Sequence, residues 1–117
     1  MAAESAAVLL MGWHEVGAIA DIPRQGARIV AMPEGNVAVF RSSNDEIFAI
    51  EDRCPHKGGP LSQGIVHGSE VTCPLHSWTI DLRSGNAAAP DVGCVKTIPV
   101  RLEGDRIALL LPKAGRG

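Results

Sequence analysis

Two short stretches, CPH at positions 54–56 and CPLH at positions 73–76, decide how the whole sequence is interpreted. Sixteen residues separate His56 from Cys73, so the pattern is C-x-H-x16-C-x2-H. Each stretch offers one thiolate and one imidazole, and the proline after each cysteine stiffens the backbone. Thiolates and imidazoles bind zinc and iron–sulfur clusters. The pattern therefore predicts a metal centre that is assembled from two loops.

The order of the ligands favours a single [2Fe–2S] cluster bound by Cys54, His56, Cys73 and His76. In a Rieske centre, two cysteines hold one iron and two histidines replace two cysteines on the other. A zinc site is the nearest alternative, but zinc fingers usually pair cysteine with cysteine and histidine with histidine in the sequence. Here each stretch mixes one of each. A Cys54–Cys73 disulfide is a weaker alternative, because cytosolic thiols are kept reduced.

Residues near the two stretches invite secondary interpretations. Gly58 and Gly59 allow a close backbone approach, so that N–H groups can point at cluster sulfurs. Trp78 fits either a cover for the second stretch or an ordinary core residue. Cys94 lies outside the motif and is expected to be a small buried hydrophobe. His14 and His67 are expected to be surface or turn residues rather than ligands.

Composition limits the class of protein. The chain has 117 residues, enough for one domain, and 45% are hydrophobic. It contains two Trp, two Phe and no Tyr, so the core must consist mainly of aliphatic side chains. The net charge of −2 argues against general nucleic-acid binding, which needs a basic surface. No stretch approaches the roughly 20 apolar residues of a membrane span, so no membrane association is expected.

The charge is divided unevenly along the chain. Residues 1–52 hold eight acids and three bases, a net charge of −5, and residues 53–117 hold five acids and eight bases, a net charge of +3. Ordinary surface variation is the favoured explanation, with an electrostatic docking face as the alternative.

The ends of the chain differ from its middle. The first residues lack the basic region of a signal peptide, since Glu4 stands where a cation would be expected. We therefore expect a cytoplasmic protein. The predicted organisation is an N-terminal leader (residues 1–11), one domain (residues 12–112) and a C-terminal tail (residues 113–117). Residues 2–11 fit either a short helix or a frayed leader.

Short runs of β-forming residues, separated by turn residues, dominate the remaining sequence. They predict an all-β domain, a sandwich or a small barrel, with two hairpins closed by Ser42–Asp45 and Glu103–Asp105. The expected strands are Trp13–Val16, Ala27–Met32, Val37–Arg41, Glu46–Glu51, Val71–Cys73, Trp78–Leu82, Val95–Leu102 and Arg106–Leu111.

At these residues the sequence resembles the Rieske ferredoxin superfamily. Within it, the chain is similar to the small subunit of assimilatory NAD(P)H-dependent nitrite reductase, from Trp13 to Leu111. Three segments carry this likeness, GGPLSQGIVHG (58–68), CPLHSWTIDL (73–82) and PDVGCVKTIPV (90–100). The ligand motif is specific for Rieske proteins, and the flanking segments carry the narrower similarity.

The resemblance implies an antiparallel β-sandwich with two cluster-binding loops at one tip. It implies an electron-transfer subunit without catalytic residues of its own, which serves a large subunit that contains sirohaem and flavin. That large subunit reduces nitrite to ammonium with NADH or NADPH. Two other functions stay open: a free Rieske ferredoxin that serves an aromatic-ring or other oxygenase, and a zinc-stabilised interaction module.

The sequence also differs from the high-potential respiratory Rieske proteins that it resembles in its ligands. Those proteins have an extra cysteine in each loop, which form a disulfide, and Ser and Tyr hydroxyls that bond cluster sulfurs. This chain has no spare loop cysteine, no Tyr, and Trp78 two positions after His76. Fewer hydrogen bonds to the sulfurs stabilise the reduced cluster less, so the sequence predicts a potential of roughly −150 mV, low for a Rieske centre.

Overall fold

A computed structural model describes residues 11–32, 35–55, 59–74, 77–89 and 91–112. Two short 3₁₀ helices, Ile19–Asp21 and Leu61–Gln63, interrupt the strands. The strands are β1 (Met11–Ala18), β2 (Ala27–Val30), β3 (Val37–Arg41), β4 (Ile47–Glu51), β5 (Ile65–His67), β6 (Glu70–Thr72), β7 (Thr79–Asp81), β8 (Thr97–Ile98), β9 (Val100–Glu103) and β10 (Arg106–Pro112).

The strands form three antiparallel sheets, with the orders β1-β10-β9, β2-β3-β4-β8 and β5-β6-β7. This confirms the predicted all-β antiparallel fold. The two predicted hairpins are present as β3–β4 and β9–β10. Gly104 has a φ of +62° in the second hairpin's turn, a conformation in which glycine has no Cβ penalty.

The central strand β3 shows why the sheets form layers. Successive side chains of a strand point to opposite faces, and both faces of β3 are buried. Val37 and Val39 enter a hydrophobic cluster with the β10 residues Ile107, Leu109 and Leu111. On the opposite face, Ala38 and Phe40 enter a second cluster, formed with residues of β5, β6 and β7. We call these the β10 cluster and the β6 cluster.

The predicted strand Val95–Leu102 was wrong as a single element, because the structure divides it at Pro99 into β8 and β9, which lie in different sheets. The other differences from the predicted strands are local. The prediction missed β5, because a three-residue strand is too short to show alternation. Met11, the last residue of the predicted leader, is the first residue of β1. Residues 1–10 and 113–117 lie outside the described residues, so the predicted leader, its helix alternative and the tail stay predictions. Among the described residues, no helix has the length and apolar character to cross a membrane.

Candidate functional site

The structure buries the two motif cysteines in one hydrophobic cluster. Cys54 and Cys73 are each 2% exposed, and both belong to the β6 cluster together with Leu61 and Ile80. Cys54 lies in a connection that follows β4, which we call the first cysteine loop (residues 52–62). Cys73 lies between β6 and β7, in the second cysteine loop (residues 72–79). Two loops that are distant in the sequence therefore direct their cysteines into the same core.

Each loop is closed near its cysteine by a backbone hydrogen bond, and the two bonds are equivalent. The amide of Cys54 donates to the carbonyl of Gly59 at 2.7 Å, and the amide of Cys73 donates to the carbonyl of Trp78 at 2.7 Å. Each bond spans five residues, and each enclosed segment contains one of the predicted histidine ligands. The second loop is tightened further at Ser77, whose φ is +59° and whose amide donates to the carbonyl of Cys73 at 3.1 Å.

The bases of the two loops are closed by different groups. In the first loop, the carboxylate of Asp52 accepts a bond from the amide of Ser62 at 2.6 Å and one from its hydroxyl at 2.7 Å. In the second loop, Thr72 and Thr79 are paired residues of the β6–β7 ladder. Their hydroxyl oxygens are 3.2 Å apart, and the Thr72 hydroxyl lies 2.8 Å from Nε2 of His67.

Two glycines let the chain approach the loops closely. A Cβ on Gly64 would lie 2.3 Å from the carbonyl oxygen of Thr72, the residue before Cys73. A Cβ on Gly93 would lie 3.1 Å from Pro55 in the first loop and 3.3 Å from Trp78 in the second. Gly93 therefore lies against both loops, and Gly64, two residues after the first loop, lies against the start of the second. These contacts join residues that are distant in the sequence, so no local pattern could have revealed them.

The predicted histidine ligands, His56 and His76, lie outside the described residues, as do Lys57 and Gly58. The structure therefore brings together the two predicted thiol ligands, and the imidazole ligands stay predictions. Thiols that occupy an apolar core, in loops closed by backbone hydrogen bonds, fit an iron–sulfur cluster, which thiolates bind.

The remaining sequence predictions have mixed outcomes. Cys73 is not part of a disulfide, so a Cys54–Cys73 bridge is excluded. The prediction that Cys94 is buried was wrong, because Cys94 is exposed. It precedes Val95, which is 7% exposed and packs in the β6 cluster, so an extended backbone turns Cys94 outward. His67 is exposed in β5, as expected. His14 is half-buried in β1, and its Nε2 is buried, so the expectation of a surface or turn position was wrong for this residue. Trp78 is half-buried and packs against the β6 cluster, which supports its interpretation as a core residue; its role as a cover for the second loop stays a prediction.

Most ion pairs of the described residues lie away from the cysteine loops. In the β3–β4 turn, Asp45 lies 2.8 Å from Arg41 and 3.2 Å from Arg24. The side-chain hydrogen bond from Arg24, followed by that from Arg41, lowers the pKa of Asp45 below its ordinary value. Glu46 likewise pairs with Arg83 at 2.8 Å. Several acids of the N-terminal half are thus paired with arginines, which supports ordinary surface variation as the explanation of the uneven charge.

Comparison with known proteins gives a family match that covers most of the chain. A family model described as Rieske [2Fe-2S] domain matches residues 12–99, which include both cysteine loops. The predicted cofactor, a Rieske-type [2Fe–2S] cluster, is thereby confirmed, and the zinc alternative is set aside.

Proteins of comparable length that are similar to this chain are named as components of different enzyme systems. The anthranilate 1,2-dioxygenase ferredoxin subunit of Burkholderia cepacia is 37% identical over 80% of this chain and 86% of its own. The naphthalene 1,2-dioxygenase ferredoxin component of Pseudomonas aeruginosa is 33% identical over 83% and 93%. A Mycobacterium tuberculosis structure, assigned as an NADH-dependent nitrite reductase small subunit, superposes with a TM-score of 0.77 at 21% identity, over 89% of this chain and 98% of its own. At that identity, the likeness concerns the fold alone.

Proposed function

Because the chain belongs to the Rieske [2Fe–2S] domain family, we propose that Cys54, His56, Cys73 and His76 bind one such cluster. The observation that carries this proposal is the burial of both motif thiols in one apolar core. When bound, the cluster takes up and releases one electron at a time. Rieske proteins of this kind are electron-transfer components of oxidoreductases, and this chain has the same role.

The chain's own residues hold and shield the centre. Cys54 and Cys73 supply thiolates from a core that excludes water. The backbone hydrogen bonds to Gly59 and Trp78 fix the main chain at Cys54 and Cys73, so we expect the two thiolates to shift little between redox states. Small structural change on electron uptake favours fast transfer to a partner protein. The proposal assigns no substrate-binding or catalytic residue to the chain.

The partner we propose is the large subunit of an NAD(P)H-dependent nitrite reductase, a protein that contains sirohaem and flavin. Support comes from the three segments that resemble the small subunit of that enzyme. In the structure, two of them meet at the site, since Gly93 lies against Trp78. The resemblance therefore includes packing contacts of the cysteine loops as well as the ligands. The electrons would serve the reduction of nitrite to ammonium in the cytoplasm.

A second candidate partner is the oxygenase of a multicomponent dioxygenase. Its support is the identity of 33–37% to proteins named as ferredoxin components of dioxygenase systems. Such a protein would carry electrons from a reductase to the oxygenase.

A tagged chain purified from its native cells distinguishes the two partners. The nitrite reductase proposal expects co-purification of a flavoprotein with sirohaem absorbance, and faster re-oxidation of the reduced chain when that protein and nitrite are added. Recovery of an oxygenase that re-oxidises the chain would overturn this choice of partner. Re-oxidation by neither protein would contradict both.

The reduction potential gives a further test on the chain alone. We expect a midpoint of roughly −150 mV, because the sequence lacks the Tyr and the loop disulfide of respiratory Rieske proteins. Redox titration of the coloured protein measures this value. A midpoint well above zero would show that other groups stabilise the reduced cluster.

A further inference from the structure

Asp52 lies at the start of the first cysteine loop, two residues before Cys54. One carboxylate oxygen accepts the Ser62 amide at 2.6 Å, and the other accepts the Ser62 hydroxyl at 2.7 Å. Both carboxylate oxygens of Asp52 therefore accept hydrogen bonds from Ser62. Hydrogen bonds to a carboxylate are shorter and stronger than bonds between neutral groups. We refer to this pair as the Asp52–Ser62 clamp.

The clamp encloses the whole first loop. The Cys54 amide and the Gly59 carbonyl, which bond at 2.7 Å, form an inner ring, and the clamp forms an outer ring around it. Asp52 is itself fixed to the sheet, because its amide donates to the carbonyl of Asn36 at 3.0 Å. Ser62 is fixed within the 3₁₀ helix Leu61–Gln63, whose Leu61 is fully buried. The clamp thus connects two anchored points across the segment that contains Cys54 and His56.

The topology explains why this loop needs a side chain at its base. The second loop joins β6 to β7, which pair with each other, so backbone hydrogen bonds hold its ends together. The first loop leaves β4, whose partners are β3 and β8, and reaches β5, whose partner is β6. The strands on either side of the first loop are thus in different sheets. A carboxylate that bonds across the gap supplies the closure that strand pairing gives the second loop.

We propose that Asp52 is a positioning residue of the cluster. Through Ser62 it holds the ends of the first cysteine loop together, and its negative charge near Cys54 disfavours the addition of an electron. The inference concerns this chain's own binding of its cluster. It holds whichever redox partner the chain serves, so failure of the proposed partner leaves it unaffected.

Three variants separate the geometry of the clamp from its charge. Asp52→Ala removes both bonds and the charge. Asp52→Asn removes the charge but keeps an acceptor for the Ser62 amide and a donor for its hydroxyl. Ser62→Ala removes one of the two bonds and leaves the charge. Asp45→Asn is the matched control, because Asp45 precedes β4 as Asp52 follows it, so the same charge is removed at the far end of the same strand.

The wild-type holoprotein and each variant are compared by three measurements. These are the rate at which a chelator removes the visible cluster absorbance, the midpoint potential, and the free energy of unfolding in urea. We expect Asp52→Ala to lose the cluster about tenfold faster, as hydrogen bonds to a charged group suggest, and Ser62→Ala to lose it more slowly than Asp52→Ala. Asp52→Asn should keep the cluster and raise the midpoint potential. Asp45→Asn should change neither the rate nor the potential.

Several results would overturn the proposal. If Asp52→Ala unfolds before a cluster forms, Asp52→Asn and Ser62→Ala decide the question. If Asp52→Asn has the same midpoint potential as the wild type or as Asp45→Asn, the charge of Asp52 does not tune the cluster. Cluster loss in Ser62→Ala at the wild-type rate would remove the role of the clamp. A fall in urea stability with an unchanged rate and potential would show that Asp52 serves folding alone.

Discussion

The first and second cysteine loops differ at their bases, although the same backbone bond closes each of them near its cysteine. In both, the cysteine amide donates to a carbonyl five residues later at 2.7 Å. The second loop continues directly into the paired strands β6 and β7. The first loop joins strands of different sheets and is closed by the Asp52–Ser62 clamp. Equivalent local geometry around the two thiols is thus supported by backbone pairing in one loop and by a side chain in the other.

This difference shows which substitutions each loop should tolerate. Backbone hydrogen bonds do not depend on side-chain identity, so the base of the second loop should withstand side-chain changes. The base of the first loop depends on the side chains of Asp52 and Ser62, so it should be sensitive to their substitution. Near the thiols, where the loops are alike, equivalent substitutions should have equal effects.

The largest effect is expected where the loops are alike. Cys54→Ser and Cys73→Ser should each prevent cluster assembly completely, because a neutral hydroxyl replaces a thiolate ligand of iron. Iron content and visible absorbance of the purified variants measure this. The control is Cys94→Ser, which changes the exposed cysteine and should leave both unchanged. A normal spectrum in either loop variant would show that the thiol is not a ligand.

The next effect concerns Gly64, where the chain that follows the first loop passes the start of the second. Gly64→Ala would place a Cβ 2.3 Å from the carbonyl oxygen of Thr72, so the backbone before Cys73 must shift. We expect a loss of about 3 kcal/mol in the free energy of unfolding, measured in urea, together with faster cluster loss.

The control for this substitution is Gly104→Ala, in the β9–β10 turn. Nothing lies within 4 Å of a Cβ at Gly104, whose φ is +62°, so only the backbone penalty of about 1 kcal/mol applies. Cluster retention in Gly104→Ala should match the wild type. Equal stability of Gly64→Ala and the wild type would contradict the close approach of Gly64 to the start of the second loop.

The smallest effect is expected at the base of the second loop. Thr79→Val removes a 3.2 Å contact between hydroxyls, and the β6–β7 backbone bonds stay in place. We expect a loss below about 1 kcal/mol in urea and an unchanged rate of cluster loss. Should Thr79→Val release the cluster as fast as Ser62→Ala, the proposed difference between the bases would be wrong.

The sequence predicted those parts of the molecule whose causes are local. A run of β-forming residues located β3, and turn residues located the β3–β4 and β9–β10 hairpins. The spacing of cysteines and histidines predicted the cofactor, because ligand order is a property of the sequence itself.

The parts that the sequence did not predict depend on contacts between distant residues. Nothing near Asp52 or Ser62 indicates that they bond, since the bond arises from the different sheets of β4 and β5. The wrong prediction for Cys94 has a similar origin. Its neighbour Val95 packs in the β6 cluster instead, and which of the two residues faces inward depends on how the chain around Gly93 lies against the loops.

The most direct test of the proposed site is pulsed EPR of the reduced protein with ¹⁵N-labelled histidine. The site predicts coupling of the cluster's unpaired electron to nitrogens of two histidines, and loss of that coupling or of the cluster itself in His56→Ala and His76→Ala. Because the chain has only four histidines, His14→Gln and His67→Gln complete the set and should leave both couplings intact. A reduced cluster without histidine coupling, or with coupling that disappears in the His14 or His67 variant, would contradict the proposed ligands.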